Sequence, residues 1–520
     1  MSTKTHPYLL YLLALLLTTY FVLTRLSLYL TRRRIKKQNN CQPCPYNYNK
    51  DPFLGLDVLH KNIQNSKAHK VLSRNLARMR SFPSPTFLSR IVIHPIIVTA
   101  EPENIKTMLS LKFKDYSIGN RQYAFTPLLG DGIFNSDGEK WANSRHLLRP
   151  NFAREQVADL SMLERHLRLM LKAIPKDGST VDLQDLFFRM TMDTATEFLF
   201  NHSTSSLRMV GQDEENNEDA IFARAFNYAQ ADALTKMRIG SFFDRLRQNK
   251  EGKDAIKICH AYVDKWVDEA IRYRSTKDAE LKASGQSDSD AKEERYVFIH
   301  ELAKQTKDKV RIRNELINVL LAGRDTTASL LSNMFFQFGK HPEIWKKLRQ
   351  EIDGLEGRIP TYEELRGLKY LKYCMNESLR LHPVVPGNSR QAIRDTVLPV
   401  GGGPTGSSPL FVPAGTMVAY TMYSVHRRTD LYGPDVEEYR PERWETLRPG
   451  WEYLPFNGGP RICLGQQYAL TEASYVTVRI VQEFGELEGR DPGPWEESLT
   501  LTCCSRNGTR VGLWKRGVGE

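Results

Sequence analysis

The chain has 520 residues, of which 41% are hydrophobic and 10% aromatic, so it can bury a large core and is not an intrinsically disordered protein. Its net charge is +12, but seven cations and no Asp or Glu lie in residues 1–40, which leaves +5 for residues 41–520. The basic balance therefore belongs mainly to the N-terminus, and no nucleic-acid-binding motif accompanies it. We expect no nucleic-acid partner.

The first element that the sequence predicts is a membrane-spanning helix. Tyr8–Leu30 is an apolar run of 23 residues interrupted only by Ser, Thr and Arg25. As a helix it would span about 34 Å, against a hydrocarbon core of about 30 Å. A cleaved signal peptide would have a shorter apolar core and small residues at the cut. The basic cluster Arg32–Lys37 follows directly, so residues 1–37 are predicted to be a single-pass anchor with the rest of the chain in the cytosol.

Residues 38–60 are predicted to connect this anchor to one large domain over residues 61–520. The connector contains Cys41-Gln-Pro-Cys44, which resembles a redox or metal-binding pair. No second pair accompanies it, so we interpret the segment as a stiff linker. The total of seven scattered cysteines argues against a disulfide framework and suits a reducing compartment.

The body is predicted to be mainly α-helical with small β-sheets. The strongest helix prediction is Val310–Gly339, which has apolar residues on most faces and would therefore run through the core. Gly and Pro are dense in Pro399–Pro413, which predicts a surface hairpin. Short strands are predicted near Ile91–Thr99, Ser389–Ala392, Met417–Tyr420 and Leu499–Trp514.

The sharpest chemical signal is the loop Phe456-Asn-Gly-Gly459-Pro-Arg461-Ile-Cys463-Leu-Gly465. An iron-binding thiolate needs backbone N–H donors at a helix N-terminus, and glycines that let the backbone approach the sulfur. Phe456 can exclude water, and Arg461 can bind an anionic group with a charge-assisted hydrogen bond. A structural cysteine in a glycine-rich loop is the alternative, but four further matching positions argue against it.

This loop resembles the haem-binding loop of the cytochrome P-450 superfamily, and the resemblance extends over nearly the whole chain after the anchor. It implies the cytochrome P-450 fold and haem b with Cys463 as the axial ligand of the iron. Ala322-Gly-Arg-Asp325-Thr326-Thr327 resembles the family's oxygen-activation motif. There the helix would open beside the haem, Thr326 would hydrogen-bond the oxygen that is activated, and Asp325 would gate proton delivery. Hydroxyls bonded back to helix carbonyls are the alternative.

The resemblance assigns roles to six further residues. Glu377, Arg380 and Arg443 would form a structural triad, and Trp444 stands where the family more usually has Phe. Trp141, Arg145 and Arg390 would bind the haem propionates, although surface solvation is the alternative for each.

The family most similar to this chain in its motifs is the fungal alkane and fatty-acid hydroxylases. The stretches GDGIFNSDGEKW, LRPNFAREQVADL and LPVGGGPTGSSPLFVP carry this resemblance. It implies terminal or near-terminal hydroxylation of long-chain fatty acids or n-alkanes. The residues expected to line the substrate pocket, which could equally belong to the core, are Phe125, Leu129, Ile133, Phe134, Ala322, Val384 and Val385.

The chain has no dinucleotide fingerprint, so the expected electron source is a separate NADPH-cytochrome reductase flavoprotein, at the endoplasmic reticulum membrane. Membrane lipid, a small lipophilic substrate and O₂ are the other expected partners. Three alternatives stay open: a monooxygenase of another lipophilic or secondary metabolite, a haem-thiolate isomerase or dehydratase, and a non-catalytic haem-binding protein. Asp325 and Thr326 argue against the second, because an isomerase or dehydratase needs no proton relay for O₂ cleavage.

Overall fold

The computed structural model describes residues 7–46, 51, 55–91, 94–119, 121–153, 158–210, 217–284 and 296–517. Its helices are α1 Pro7–Gln38, α2 Leu56–Lys67, α3 Val71–Arg80, α4 Pro102–Lys106, α5 Arg121–Leu129, α6 Gly138–Leu148, α7 Ser161–Ala173, α8 Leu183–Phe200, α9 Glu218–Arg247, α10 Lys250–Ser284, α11 Phe298–Gln305, α12 Lys309–Lys340, α13 Pro342–Asp353, α14 Tyr362–Gly367, α15 Lys369–Leu381, α16 Met422–Val425, α17 Thr429–Tyr432 and α18 Gln466–Glu483. The strands are β1 Thr86–Ile91, β2 His94–Thr99, β3 Tyr116–Ser117, β4 Val181–Asp182, β5 Gly387–Ala392, β6 Thr396–Gly402, β7 Ser408–Val412, β8 Met417–Thr421, β9 Phe484–Gly489, β10 Glu497–Leu499, β11 Cys503–Ser505 and β12 Arg510–Lys515.

The chain forms two compact units that interleave along the sequence. The first comprises Met1–His60, Ala77–Ser117 and Ser389–Tyr420, and the second comprises Lys61–Leu76, Ile118–Asn388 and Thr421–Glu520. The domain boundary predicted between residues 60 and 61 stays a prediction. The predicted connector lies partly outside the described residues, because residues 47–50 and 52–54 are not described.

The first unit contains the N-terminal helix and most of the β-structure. Its five-stranded sheet has the order β1-β2-β8-β5-β3, and β6 pairs with β7 in an antiparallel hairpin. Helix α1 leaves its apolar side chains exposed from Tyr8 to Leu30. Among the described residues, this helix alone is long and apolar enough to cross a membrane.

The second unit is mainly helical and is built around α12. Asp308 caps this helix by accepting a hydrogen bond from the Arg311 N–H, and most of its side chains between Ile312 and Phe338 are buried. Helix α12 packs along α8 and also contacts α18. Two small sheets complete the unit, namely the three-stranded β4-β12-β9 and the two-stranded β10-β11.

The predicted fold class, mainly α with small β-sheets, is confirmed. The helix predicted over Val310–Gly339 is α12, and the hairpin predicted in Pro399–Pro413 is β6–β7. Two strand predictions were wrong in their extent. Ile91 ends β1 rather than starting the next strand, and Leu499–Trp514 contains parts of three strands that turns separate. Apolar residues follow both the end of one strand and the start of the next, so composition alone does not reveal where a strand ends.

Candidate active site

The Cys463 loop folds back on itself immediately before α18. The Cys463 N–H donates to the Phe456 carbonyl at 3.0 Å, and the Ile462 N–H donates to the Gly459 carbonyl at 3.0 Å. Gly459 adopts a φ of +67°, which a residue without Cβ adopts at low cost. Gly465 is the N-cap of α18. The loop therefore presents Cys463 at a helix N-terminus, as its sequence predicts.

Cys463 is solvent-accessible, and the protein atoms packed around it partly bury its thiol. This burial raises the pKa of the thiol, while a hydrogen bond from the Gly465 backbone and the charge of Arg145 lower it. The hydrogen bond and the charge therefore lower the pKa by less than burial raises it. A bound cation would lower the pKa further, because a thiol that coordinates a metal ion is deprotonated.

Trp141, Arg145 and Arg461 come together beside this loop. The guanidinium carbons of Arg461 and Arg145 lie 4.5 Å and 6.0 Å from the centroid of the Trp141 ring, within the range of cation–π attraction. Arg145 donates to the Ile462 carbonyl at 3.0 Å. Arg461 donates to the Asp137 carboxylate at 2.6 Å. Asp137 was not identified from the sequence, because its partner lies more than 300 residues away.

Arg390 belongs to the first unit and is described with it. It lies on β5, is 3% exposed, and donates to the carbonyl of Ser389 at 2.7 Å. Its guanidinium carbon lies 6.0 Å from the centroid of the Tyr420 ring. Its predicted role toward a haem propionate stays a prediction.

Helix α12 stays α-helical through the Ala322–Thr327 motif, so the expected local opening of the helix is not seen. The Thr326 hydroxyl donates to the Ala322 carbonyl at 2.7 Å, which is the back-bonded arrangement common for Thr in helices. Thr326 is nevertheless only half-buried, whereas Asp325 is 6% exposed. The hydroxyl is therefore the accessible polar group of this motif.

Asp325 is held inside the second unit by polar neighbours. Arg324 donates to its carboxylate at 3.0 Å and also to the side chain of Asn227 on α9. Burial raises the pKa of Asp325, and the charge of Arg324 with a hydrogen bond from Gln230 lowers it. A carboxyl with a raised pKa next to a cation can hold or release a proton, as proton delivery would require.

A second buried acid, Glu472, was missed in the sequence. It lies on α18 and accepts a hydrogen bond from the Thr194 hydroxyl of α8 at 2.9 Å. Burial raises its pKa to about 7, although hydrogen bonds from Thr194 and Thr327 lower it. Its sequence signal was only one acidic residue on an otherwise apolar helix face.

The chain matches the cytochrome P450 family model over residues 55–503. It is 50% identical over 491 residues to cytochrome P-450 monooxygenase himC of Aspergillus japonicus, which covers 94% of this chain and 86% of the relative. It is 46% identical to cytochrome P-450 monooxygenase fsdH of Fusarium heterosporum, over 98% of this chain and 89% of the relative. It is 42% identical to cytochrome P-450 52A13 of Debaryomyces hansenii, over 96% of each chain.

The chain belongs to the cytochrome P-450 family. It is a cytochrome P-450 monooxygenase, and the family implies a haem cofactor, a redox partner that supplies electrons, and a small substrate that is oxidised with O₂. The resemblance stated from the motifs of the sequence is thereby confirmed.

The predicted triad of this cytochrome P-450 is assembled in the second unit. Arg380 donates two hydrogen bonds to the Glu377 carboxylate, at 2.9 and 2.8 Å, and Arg443 donates a third at 3.3 Å. The Trp444 indole N–H donates a fourth at 3.0 Å. The aromatic residue that replaces the more usual Phe is therefore a hydrogen-bonding member of this cluster. Glu377 and Arg380 are fully buried.

The residues predicted to line the substrate pocket of this cytochrome P-450 fall into two groups. Phe125, Leu129, Ile133 and Val384 are less than 10% exposed and pack in the hydrophobic cores of the second unit. Phe134 and Val385 are 42% and 40% exposed, and Ala322 is half-buried. The second group is available to a ligand, whereas the first belongs to the hydrophobic cores.

The residues present fit a haem. A flat macrocycle with an iron ligand needs an accessible thiol, apolar surface and cations for its propionates. Cys463 supplies the accessible thiol, Phe134 and Val385 supply exposed apolar surface, and Arg145 and Arg461 lie beside the loop. Bound there, the haem would supply the oxidising chemistry, and these residues would bind and orient it.

Proposed function

We propose that this cytochrome P-450 binds haem b through Cys463 and hydroxylates terminal or near-terminal carbons of long-chain fatty acids or n-alkanes. Electrons come from NADPH through a flavoprotein reductase. The observation that carries the proposal is the accessible Cys463 thiol at the N-terminus of α18, next to Arg145 and Arg461. These two arginines and Trp141 hold the propionates, and the role expected for Arg390 from the family resemblance stays a prediction.

The proton-delivery role goes to the polar residues of α12. Asp325 is the proposed proton donor because burial raises the pKa of its carboxyl, and Arg324 keeps the carboxyl in place. Thr326 has a hydroxyl that can rotate away from the Ala322 carbonyl and donate to a bound ligand. Glu377, Arg380 and Arg443 hold the Cys463 side of the unit in shape and take no part in proton transfer.

The substrate class is supported by apolar surface and by the N-terminal helix. Phe134 and Val385 offer exposed apolar side chains that an alkyl chain can contact. Residues 1–37 form a single-pass anchor in the endoplasmic reticulum membrane, residues 38–60 connect it, and residues 61–520 form the monooxygenase domain in the cytosol. An enzyme anchored in this way meets substrates that dissolve in lipid.

The ligand assignment is tested with the carbon monoxide spectrum of the reduced protein. The full chain should give the red-shifted Soret band of thiolate ligation, and Cys463→Ala should abolish it because no other thiol replaces the ligand. Cys41→Ser is the matched control and should keep the band. A Cys463→Ala protein that keeps the band would show that another residue binds the iron.

The substrate is tested by product analysis with reductase, NADPH and dodecane, lauric acid or oleic acid. Phe134→Ala should change the position of hydroxylation or lower kcat/KM, whereas Ile359→Ala, which truncates an apolar side chain 48% exposed elsewhere, should not. The two relatives of 50% and 46% identity do not carry the 52A designation, which favours another lipophilic metabolite as the second candidate. Turnover of a sterol or an aromatic compound without turnover of any alkyl chain would establish that candidate instead.

A further inference from the structure

Helix α1 is joined directly to the β-structure of the first unit. Arg32 donates from Nε and Nη2 to the two carboxylate oxygens of Asp395, at 3.0 and 3.1 Å. One turn further along, the Lys36 ammonium lies 5.1 Å from the centroid of the Phe411 ring. The bidentate geometry fixes direction as well as distance. Two of the five cations at the basic end of the helix therefore contact the β-structure.

The chain that follows α1 continues these contacts. The Gln42 N–H donates to the Pro409 carbonyl at 2.9 Å, and the Gly403 N–H donates to the Pro43 carbonyl at 2.8 Å. Both partners lie in the β6–β7 hairpin or its turn. Backbone hydrogen bonds thus join the segment after α1 to the β6–β7 hairpin. The direction of α1 therefore fixes the orientation of the β-structure of the first unit, which we call the sheet unit.

The height of Asp395 relative to a bilayer follows from this geometry. If Tyr8–Leu30 fills the hydrocarbon, Arg32 lies two residues, or about 3 Å, beyond it along the helix. The headgroup region adds about 5–7 Å on each side of the hydrocarbon core. Arg32 and its partner Asp395 then both lie at headgroup level.

The surface next to Asp395 has the composition of a membrane contact. Ile393 is 54% exposed and Leu111 is 68% exposed. The Ile393 N–H donates to the Asp115 carbonyl at 2.9 Å, and Lys112 donates to the Val397 carbonyl at 2.8 Å, so the two segments are neighbours. Lys112, Lys114 and Arg394 flank the two apolar side chains, and Arg394 also pairs with Asp115 at 3.4 Å. We define the interfacial patch as Leu111, Lys112, Lys114, Ile393 and Arg394.

The patch also lies near the end of α1. The charges of both Lys36 and Lys112 act on the Cys41 thiol, and both lower its pKa against the effect of burial. Ile393 is two residues from Asp395, so at most about 7 Å of backbone separates them. Apolar side chains with adjacent cations suit the boundary between lipid headgroups and acyl chains.

We propose that the interfacial patch is a second membrane contact, which enters the headgroup layer of an anionic bilayer, and that the Arg32–Asp395 pair keeps it there. This proposal rests on the proposed membrane anchor. The sheet unit then lies against the membrane in one orientation, and the anchor does not act as a flexible tether.

The test uses the full chain in nanodiscs of phosphatidylcholine and phosphatidylserine. A keto amino acid placed at Leu111 or at Ile393 carries a nitroxide, which leaves the seven cysteines unlabelled. Its collision rates with oxygen and with a water-soluble nickel chelate report depth, and a label at Leu26 gives the value inside the bilayer. We expect the labels at Leu111 and Ile393 to be shielded from nickel relative to a nitroxide in buffer.

Two results would overturn the proposal in distinguishable ways. Water-like labels at Leu111 and Ile393 with a shielded label at Leu26 would refute the patch and leave the anchor standing. A water-like label at Leu26 would refute the anchor and the patch with it. Nanodiscs of phosphatidylcholine alone should weaken the shielding at Ile393, because the cations of the patch lose their anionic partners.

The role of the ion pair is tested with Asp395→Asn. We expect the label at Ile393 to become at least severalfold more accessible to nickel, while the carbon monoxide band shows that the protein is folded. Asp131→Asn is the matched control, because it removes a 2.6 Å surface pair with Lys140. Unchanged accessibility at Ile393 in Asp395→Asn would refute the coupling between anchor and patch.

Discussion

The Glu377 carboxylate gives the sharpest stability prediction, because five hydrogen bonds converge on it. Arg380 donates two, and Arg443, Trp444 and the Arg440 backbone N–H donate one each. Glu377→Gln keeps the size and shape of the side chain. It removes the negative charge and places an NH₂ group where one oxygen accepted hydrogen bonds, so the substitution isolates the electrostatic contribution of this residue.

The magnitude follows from burial. Glu377 and Arg380 are fully buried, and removing one partner of such a pair leaves an uncompensated charge that costs about 3–5 kcal/mol. Folded proteins are stable by only about 5–15 kcal/mol. We therefore expect Glu377→Gln to lower the haem-loaded fraction severely and to shift urea unfolding to much lower concentrations.

The assay follows the thiolate-type carbon monoxide band against urea concentration. Trp444→Phe removes one hydrogen bond to a charged group and should cost less, about 1.5–3 kcal/mol. Glu363→Gln is the control for the chemistry of the substitution, because its 3.9 Å pair with Arg366 is exposed and worth at most about 1 kcal/mol. If Glu377→Gln and Glu363→Gln unfold at the same urea concentration, the buried cluster does not stabilise the fold as argued.

Two further predictions concern the buried acids. The pKa of Glu472 is raised from 4.5 to about 7, so between these pH values the folded state binds more protons than the unfolded state. The free energy of unfolding should therefore fall as pH rises through this window. Glu472→Gln should remove this pH dependence in urea titrations at pH 5 and pH 8, and an equal pH dependence in both proteins would contradict the prediction. Asp325→Asn removes the group proposed to release a proton and should lower turnover by about 10²-fold or more. The spectral shift that substrate induces should be retained. Wild-type turnover in Asp325→Asn would exclude Asp325 as the proton donor.

Local patterns in the sequence predicted the elements whose signals are contained in one segment. Helix α12 was predicted to within one residue at each end, because its apolar side chains lie within it and its capping residues, Asp308 and His341, directly flank it. The two compact units could not be predicted. The first joins segments that residues 118–388 separate, and segments of the first interrupt the second twice. No local periodicity records which segments meet.

The candidate site shows the same division. The loop around Cys463 was predicted because glycines and the helix start stand next to the cysteine. Asp137 and Glu472 were missed because their partners are distant in sequence. Of the predicted pocket residues, Phe125 and Leu129 are buried and Phe134 is exposed. The sequence could not separate them, because apolar residues occupy both buried and exposed positions.

Arg32 has two roles, of which only one is evident from the sequence. As part of Arg32–Lys37 it favours retention of the positive end in the cytosol, and in the structure it also pairs with Asp395 at 3.0 Å. Arg32→Gln leaves four cations in the cluster, so protease protection should report unchanged topology. The pair with Asp395 is lost, so the label at Ile393 should become accessible to nickel as in Asp395→Asn, whereas Arg33→Gln removes an equal charge and should leave that label shielded. Equal accessibility in Arg32→Gln and Arg33→Gln would mean that net charge, and not this ion pair, sets the orientation of the sheet unit.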